Sequence, residues 1–364
     1  MMRQKLLPIY ISITSVIQGF VEFCSTTTSI FLVQFIRREL VSISNAEGFD
    51  GAGAQAQRIL SVYCFARYLD IPFIFKSIEK IEFQPVDYID SQEKYEREVL
   101  HLNNWLEESF IQGIAPDGVK IWRAKRPHRF PWLLLRAIFV GRVLGQPIQL
   151  SLVDSYFATK TKPEVWNFLP RIEVMGEPKN VLEVHLHLRL TNFLGTGDRS
   201  VNHRFFQNIL ESIELQMKKL DREYRVIIHT DFNGNIVNKE LLLRYAFQDS
   251  LKYWKVLGIL NNDLDVEIHA LDGARSELQQ LLTTKPHYEV FPASNWVDEW
   301  KSMGAADILI MGKSSFSALG GLLNRDGLVV SPHFWDSGKP NWCVSDSEEL
   351  IVDWLCEGLK RIRQ

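Results

Sequence analysis

Residues 306–323 read ADILIMGKSSFSALGGLL, an apolar run followed by a group of serines and then by small and apolar residues. The run ADILIMG has the length and composition of a buried β-strand. Ser314 and Ser315 stand where a helix would begin, because serine side chains accept hydrogen bonds from the free N–H groups of a first helical turn. The segment therefore predicts strand, turn and helix in that order.

The same alternation of strand and helix extends to both sides of this segment. Strands are predicted at 183–190, 224–231, 265–272 and 327–332, with helices between them and an amphipathic helix at the end of the chain. Strands and helices that alternate at this spacing form a parallel sheet. A similar unit opens at residues 36–48 with a strand, a glycine loop and a helix that ends before Pro72.

The sequence thus predicts an α/β protein with two Rossmann-like domains facing a central cleft, a GT-B-like arrangement that other two-lobed proteins share. We predict an N-terminal extension over 1–38, an N-terminal domain over 39–175 and a C-terminal domain over 176–364. Three prolines and a glycine within 163–180 are typical of a linker between them. The terminal helix is a candidate for packing back on the N-terminal domain.

Composition excludes several classes of protein. The chain has 364 residues, 41 Lys and Arg, 44 Asp and Glu, and a net charge of −3. A hydrophobic content of 46% excludes a disordered chain, and the balanced charge argues against nucleic acid as a partner. The four cysteines are widely spaced without a CxxC pair, which predicts free thiols in a reducing, cytoplasmic compartment.

Two segments bear on contact with a membrane. Residues 6–35 are apolar but are interrupted by Gln18, Glu22 and Gln34, so no apolar run reaches the ~18 residues of a spanning helix. We expect a structured or peripheral extension, with a membrane anchor as the alternative. Residues 123–150 mix basic and large apolar residues. We expect a core-packed helix with solvated arginines there, and the alternative is a surface for an anionic acceptor or for lipid headgroups.

Three groups of residues are candidates for chemistry. His185, His187 and Arg189 lie on one face of a predicted strand, and an arginine at its carboxyl end suits phosphate oxygens. The alternatives are a surface-facing edge strand and a zinc site of the two histidines, which lacks an evident third ligand. The second group is a loop of small residues ahead of a helix, with Gly51, Gly53 and Gln55. The third group is a cluster of serines: Ser314, Ser315 and Ser317.

Both of these groups suit an anionic ligand. Glycines allow close approach of the backbone, and a helix start offers free N–H groups to an anion. A tight turn without a ligand is nearly as good an interpretation of the glycine loop. Simple N-capping accounts for one serine of the cluster but not for three, so the cluster favours ligand contact.

In this order the motifs resemble those of the fucosyltransferase-type glycosyltransferases over roughly residues 40–335. GAGAQAQRIL resembles their Gly-x-Gly-Asn-Gln segment, HLR at 187–189 the start of His-x-Arg-Arg-Gly-Asp, and ADILIMGKSSFS their segment that ends in Ser-Ser-Phe-Ser. Ala54 and Leu190 depart from the pattern, so another donor, such as a UDP-pentose, stands beside GDP-fucose.

The resemblance implies transfer of a sugar from a nucleotide donor to a glycan acceptor, with inversion and without a metal or other cofactor. It implies that Arg189 contacts the diphosphate with His187 beside it, and that the serines line the nucleotide pocket. Asp50 is the hypothetical base, and a turn-forming role for it is equally plausible. Asp307, a strand-start residue or nucleotide contact, and Asp231 are weaker candidates. A non-catalytic glycan-binding protein is the alternative, and a Rossmann oxidoreductase is disfavoured because a third glycine is missing.

Overall fold

The computed structural model describes residues 2–36, 40–46, 51–81, 92–110, 119–124, 126, 128–170, 181–188, 203–230, 285–292, 295–333, 339 and 342–361. The chain divides into two compact units. The first comprises 1–50, 54–81 and 103–171, and the second comprises 51–53, 82–102 and 172–364. The glycines at 51 and 53 therefore group with the second unit.

The first unit contains a four-stranded parallel sheet. Its strands are β1 (Val41–Asn45), β2 (Phe73–Ile74), β3 (Lys120–Ala124) and β4 (Ile148–Leu152), in the order β2-β1-β4-β3. Every residue of β1 and β4 is buried, as expected for the central strands of a sheet covered on both faces. The order reverses direction beside β1, which creates a crevice at the carboxyl ends of β1 and β4.

The helices of residues 2–161 are α1 (Met2–Val33), α2 (Ala52–Tyr68), α3 (Gln92–Phe110), α4 (Arg129–Phe139) and α5 (Tyr156–Thr161). The part of α3 up to residue 102 groups with the second unit. A π-helical turn, Val140–Leu144, extends α4, and a 3₁₀ turn, Pro163–Phe168, follows α5. α1 packs on α4 and α5. No described helix, α1 included, combines the length and hydropathy needed to cross a membrane.

The sequence-based expectations for this unit are confirmed at its start and wrong in its middle. β1 and α2 follow the predicted strand and helix. The charged, Trp-containing segment 88–126 favours a helix throughout by its sequence, but the structure has a helix only over Gln92–Phe110 and a strand, β3, over Lys120–Ala124. The helix expected within 123–150 is α4, but the same segment ends in β4. β4 pairs with two strands. Its conformation is therefore set by strand pairing and burial in the sheet, although the local sequence pattern favours a strand only weakly.

The second unit contains a six-stranded parallel sheet in the order β10-β9-β8-β5-β6-β7. Its strands are β5 (Leu182–Leu188), β6 (Tyr224–Thr230), β7 (Tyr288–Val290), β8 (Ile308–Ile310), β9 (Leu328–Ser331) and β10 (Trp342–Val344). Its described helices are α6 (His203–Leu220), α7 (Trp296–Gly304), α8 (Ser315–Leu323) and α9 (Glu348–Leu359). The terminal helix, α9, packs on α6 and β9. Two parallel sheets confirm the α/β class.

β5 lies at the centre of the second sheet. It pairs with β6 on one side and β8 on the other, and it is buried along almost its whole length. The edge-strand interpretation is therefore wrong. Leu182, Val184 and Leu186 join one hydrophobic core with α6 and α9, while the polar residues of β5 lie on the opposite face. The strand predicted at 265–272 and the helix before it lie outside the described residues.

Candidate functional site

The serine cluster opens α8 at the carboxyl end of β8. Ser314 is the N-cap, and its Oγ accepts a hydrogen bond from the Phe316 N–H at 3.2 Å. The buried Ser317 hydroxyl donates to the carbonyl oxygens of Gly312 at 3.2 Å and Ser314 at 3.1 Å. Ser315 is half-buried and makes no side-chain hydrogen bond to another described residue. Two serines thus hold the turn together, and one hydroxyl remains available to a ligand.

His187 lies beside this turn, near the end of β5. Its ring stacks on Phe316, with centroids 5.8 Å apart and planes 26° apart. Phe316 also packs on Trp300, with ring centroids 5.0 Å apart. A Cβ at Gly312 would lie 3.0 Å from the His187 carbonyl oxygen, so the glycine lets the chain after β8 pass close to β5. These contacts fix His187 beside the first turn of α8.

Gly53 touches the same turn within the second unit. A Cβ at Gly53 would lie 2.6 Å from Phe316 Cα and 2.7 Å from Phe316 N. Because both atoms belong to the backbone, no rotamer change could relieve the overlap. The structure therefore brings Gly53, His187 and the predicted serines together at one helix start. Backbone N–H groups and the positive end of the α8 dipole make this a favourable place for an anion.

The other predicted residues have the following positions. Asp307 lies at the amino end of β8, the opposite edge of the sheet, where its Oδ2 accepts a hydrogen bond from Glu183 N at 2.9 Å. Gln55 is buried in the first unit, and its Nε2 donates to the Lys80 carbonyl oxygen at 2.7 Å. Gly51 directly precedes the first residue of α2. Three predicted residues, Asp50, Arg189 and Asp231, lie outside the described residues.

A buried polar chain crosses β5 and β6 on the face that carries the histidines. His185 Nδ1 lies 2.9 Å from His229 Nε2, and His185 Nε2 lies 3.5 Å from Glu183 Oε2. Arg225 forms an ion pair with Glu183, its Nε 3.0 Å from Oε1. Burial and the neighbouring His185 and His187 hold the pKa of His229 well below its usual value. His185 is thus occupied by protein partners.

His185 and His187 stand out in the sequence, but His229 does not. The register pairs His187 with His229 on the adjacent strand, a contact between positions 42 residues apart that no local pattern reveals. His229 adds a third histidine to the two of the zinc site considered above. Within the part of the chain that the structure describes, however, no group of three metal-ligating side chains converges.

The first unit contains a pocket of its own. It has a volume of about 110 Å³ and lies at the carboxyl ends of β1 and β4, lined by residues that include Asn45, Gln55, Arg58, Ser77, Lys80 and Val153. Such crevices at the carboxyl ends of parallel strands are the usual ligand sites of open α/β sheets. Gln55, predicted to contact the donor, lines this pocket.

Asp154 stands next to the pocket-lining Val153, directly after β4. Burial raises the pKa of its carboxyl group above the usual value, although a hydrogen bond from Tyr156 N at 3.3 Å and the charge of Arg58 act in the opposite direction. A carboxyl group with a raised pKa beside a pocket is a candidate functional group. Asp154 does not stand out in the sequence because the local pattern does not predict β4. A carboxylate at the end of a strand would have been the signal.

Comparison with known proteins adds little to these observations. No protein-family model matches the chain, and no curated protein sequence matches it. Among solved structures, E. coli heptosyltransferase WaaC with ADP is 11% identical, with 87% of this chain and 99% of that chain covered and a TM-score of 0.37. E. coli ADP-heptose lps heptosyltransferase II is 10% identical, with 89% and 99% covered and a TM-score of 0.36. At these scores the likeness does not decide the activity.

Proposed function

We propose that this protein is a GT-B-type glycosyltransferase that moves a sugar from a nucleotide donor to a hydroxyl group of a glycan acceptor, with inversion and without a metal. The observation that carries the proposal is the first turn of α8. There Ser314 and Ser317 complete the turn, the Ser315 hydroxyl is available, and His187 and Gly53 pack beside it. The resemblance to the Ser-Ser-Phe-Ser segment of fucosyltransferase-type enzymes supports the same assignment.

In this proposal the serine turn holds the diphosphate of the donor. Breaking the bond from sugar to phosphate leaves negative charge on the departing diphosphate. Hydrogen-bond donors that are already held in place therefore lower the activation barrier. The N–H groups of α8 and the Ser315 hydroxyl are such donors. Arg189, which follows β5 by one residue, is proposed to supply the positive charge that the resemblance assigns to it.

A carboxylate is proposed to accept the proton of the attacking hydroxyl. Asp50 remains the residue that the sequence favours. Asp154 is a second candidate, because it lies beside the pocket of the first unit and burial raises its pKa toward the range suited to a general base. We propose that this pocket receives the acceptor. The test compares sugar transfer by Asp50→Asn and Asp154→Asn. The base is the residue whose replacement by asparagine abolishes transfer.

GDP-fucose is the favoured donor, and a UDP-pentose is the alternative. The test is a metal-free binding screen of the full chain against GDP, UDP and their sugar conjugates. A ligand at 100 times its Kd stabilises a protein by about 2.7 kcal/mol, which is visible as a thermal shift. A shift with GDP compounds supports the fucose donor, whereas a shift only with UDP compounds keeps the reaction class and changes the donor.

The Ser315→Ala variant tests the position of the site. Loss of one hydrogen bond to a charged phosphate is expected to weaken nucleotide binding by about 1.5–3 kcal/mol. Ser212→Ala is the matched control, because the Ser212 hydroxyl bonds only within α6, to the Asn208 carbonyl oxygen at 2.8 Å. Absence of any nucleotide shift in the unmodified chain would overturn the proposal and favour the non-catalytic glycan-binding protein.

A further inference from the structure

One face of helix α1 buries polar residues. Glu22, Ser25, Thr26 and Ser29 are at most 6% exposed, and they recur at the three- and four-residue spacing of one helix face. Thr26 Oγ1 donates to the Glu22 carbonyl oxygen at 2.9 Å and lies 3.0 Å from the Thr161 hydroxyl. The face of α1 that packs against the first unit is therefore a polar one.

The opposite face of α1 exposes large aromatic side chains. Phe20, Phe23 and Phe31 are 67%, 55% and 57% exposed. With 3.6 residues per turn, these three positions lie on the side of the helix away from the buried polar residues. A surface helix of a water-soluble domain has the reverse arrangement, so α1 is inverted.

A second apolar surface lies on α4, which packs against α1. α4 and its π-helical turn expose five large hydrophobic side chains: Trp132, Leu135, Phe139, Val143 and Leu144. Trp132 is 73% exposed. α4 packs on α1, and the Arg142 guanidinium lies 6.0 Å from the ring of Phe35, which follows α1. We call these exposed residues of α1 and α4 the apolar face. Monomeric soluble proteins seldom leave so many large side chains in water.

The same part of the chain carries a concentration of positive charge. Between residues 118 and 153 the sequence contains no Asp or Glu, and its basic residues are Lys120, Arg123, Lys125, Arg126, Arg129, Arg136 and Arg142. Five of the arginines are exposed, and Arg136 lies 4.8 Å above the Trp122 ring. A segment with this charge in a chain whose net charge is −3 is complementary to a negatively charged partner.

We propose that the apolar face docks on the surface of an anionic phospholipid bilayer. Its phenylalanines and Trp132 would enter the interface between headgroups and acyl chains, and the arginines would contact lipid phosphates. Exposed aromatics beside basic residues are what such an interface requires, whereas an apolar protein partner alone would leave the arginines unmatched. The proposal places the apolar face at the surface of the bilayer, and no helix among the described residues has the length and hydropathy to cross it. This proposal is independent of the proposed function.

The test is co-sedimentation of the full chain with vesicles of pure phosphatidylcholine and with vesicles that also contain about one third phosphatidylglycerol. We expect binding to the anionic vesicles, at least about tenfold weaker binding to the neutral ones, and weakening by salt. Trp132→Ser with Phe139→Ser removes apolar contacts, and Arg126→Gln with Arg129→Gln and Arg136→Gln removes charge. Each set is expected to weaken binding to anionic vesicles by about tenfold or more.

Leu215→Ser with Lys219→Gln is the matched control, because both side chains are exposed on α6 of the second unit. This control is expected to bind vesicles like the unmodified chain, and circular dichroism spectra verify that every variant is folded. Equal binding by all variants, or no binding to anionic vesicles, would overturn the proposal. Light scattering tests whether a second copy of the chain covers the apolar face instead. A stable dimer that Trp132→Ser with Phe139→Ser dissociates, together with no binding to vesicles, would make this face an interface between two copies.

Discussion

His229 is a buried side chain that the fold keeps neutral. It is fully buried, one ring nitrogen lies 2.9 Å from His185 Nδ1, and Phe291 packs on its ring at 4.8 Å. Burial is the main cause of its low pKa, and the two neighbouring histidines add to the effect. Folding therefore excludes a proton that the unfolded chain would bind in mildly acidic solution.

This exclusion predicts a pH dependence of stability. Because the pKa of His229 is lower in the folded than in the unfolded state, the unfolded state binds more protons between the two values. The free energy of unfolding is then expected to fall as pH drops below about 6.5, by up to about 1.4 kcal/mol per pH unit. Urea unfolding of the full chain at pH 7.5, 6.5 and 5.5 measures this slope.

His229→Gln removes the titrating group and is expected to flatten the slope, although it lowers stability at every pH. His128→Gln is the control, because His128 is exposed at the start of α4. An unchanged slope in His229→Gln would show that other groups cause the acid sensitivity.

Asp154 has the opposite effect on the pH dependence of stability. Its raised pKa means that the folded state binds a proton more tightly than the unfolded state, so stability falls as pH rises through this range. Asp154→Asn is expected to keep or raise the thermal midpoint at pH 7.5, because it removes the cost of a buried charge. If Asp154 is the base, the same variant loses sugar transfer. A lowered midpoint in Asp154→Asn would contradict this account of the carboxyl group.

At the scale of elements, sequence patterns predicted those strands and helices whose local signals agree with their burial. β8 and α8 are examples, because an apolar run, an N-cap serine and small helix residues all indicate the same structure. β3 was missed because it is short, basic and mostly exposed, and it takes its conformation from pairing with β4. Strand pairing joins distant residues, and periodicity within one segment cannot report it.

The same distinction explains the site. Sequence placed His185, Ser314 and Ser317 in a ligand pocket, but each has partners in the fold that a single segment does not reveal. The shared face of His185 and His187 followed from strand alternation. The contact of Gly53 with the first turn of α8 does not follow from any local pattern, because 263 positions separate Gly53 from Phe316. The hydroxyls of Ser314 and Ser317 make hydrogen bonds within the turn, and the hydroxyl of Ser315 is the one available to a ligand.

Gly53 provides a test of this contact. In Gly53→Ala the new Cβ would meet backbone atoms of Phe316 at 2.6 Å, so α2 or α8 must shift. We expect a loss of about 1–3 kcal/mol in unfolding free energy and weaker nucleotide binding. Gly19→Ala in α1 is the matched control, because nothing lies within 4 Å of its Cβ position. There the helix propensity of alanine should stabilise by about 0.5–1 kcal/mol. Equal effects of the two substitutions would exclude the contact.

At the scale of the whole molecule, charge and hydrophobicity are unevenly distributed. The net charge of −3 conceals a stretch of 36 residues, 118–153, with seven basic and no acidic side chains. The most exposed aromatic side chains belong to α4, which lies within that stretch, and to α1, which packs on α4. Average composition therefore described the chain poorly. The interruption of the apolar N-terminus by Gln18 and Glu22 has a structural meaning, because Nε2 of the exposed Gln18 donates to Oε1 of the buried Glu22 at 2.9 Å.

The inverted helix predicts that its phenylalanines contribute little to stability in water. Substitution of Phe20, Phe23 and Phe31 together by serine should leave the thermal midpoint nearly unchanged, because surface substitutions usually alter stability by less than about 0.5 kcal/mol each. Solubility should rise, since three large apolar side chains leave the surface. Phe206→Ser is the control: this side chain is 8% exposed in the core of the second unit, and its loss should cost about 3–5 kcal/mol. Differential scanning fluorimetry without vesicles measures both. A large drop in the triple variant would mean that α1 buries its aromatic face in solution, and the bilayer would then have no surface to bind.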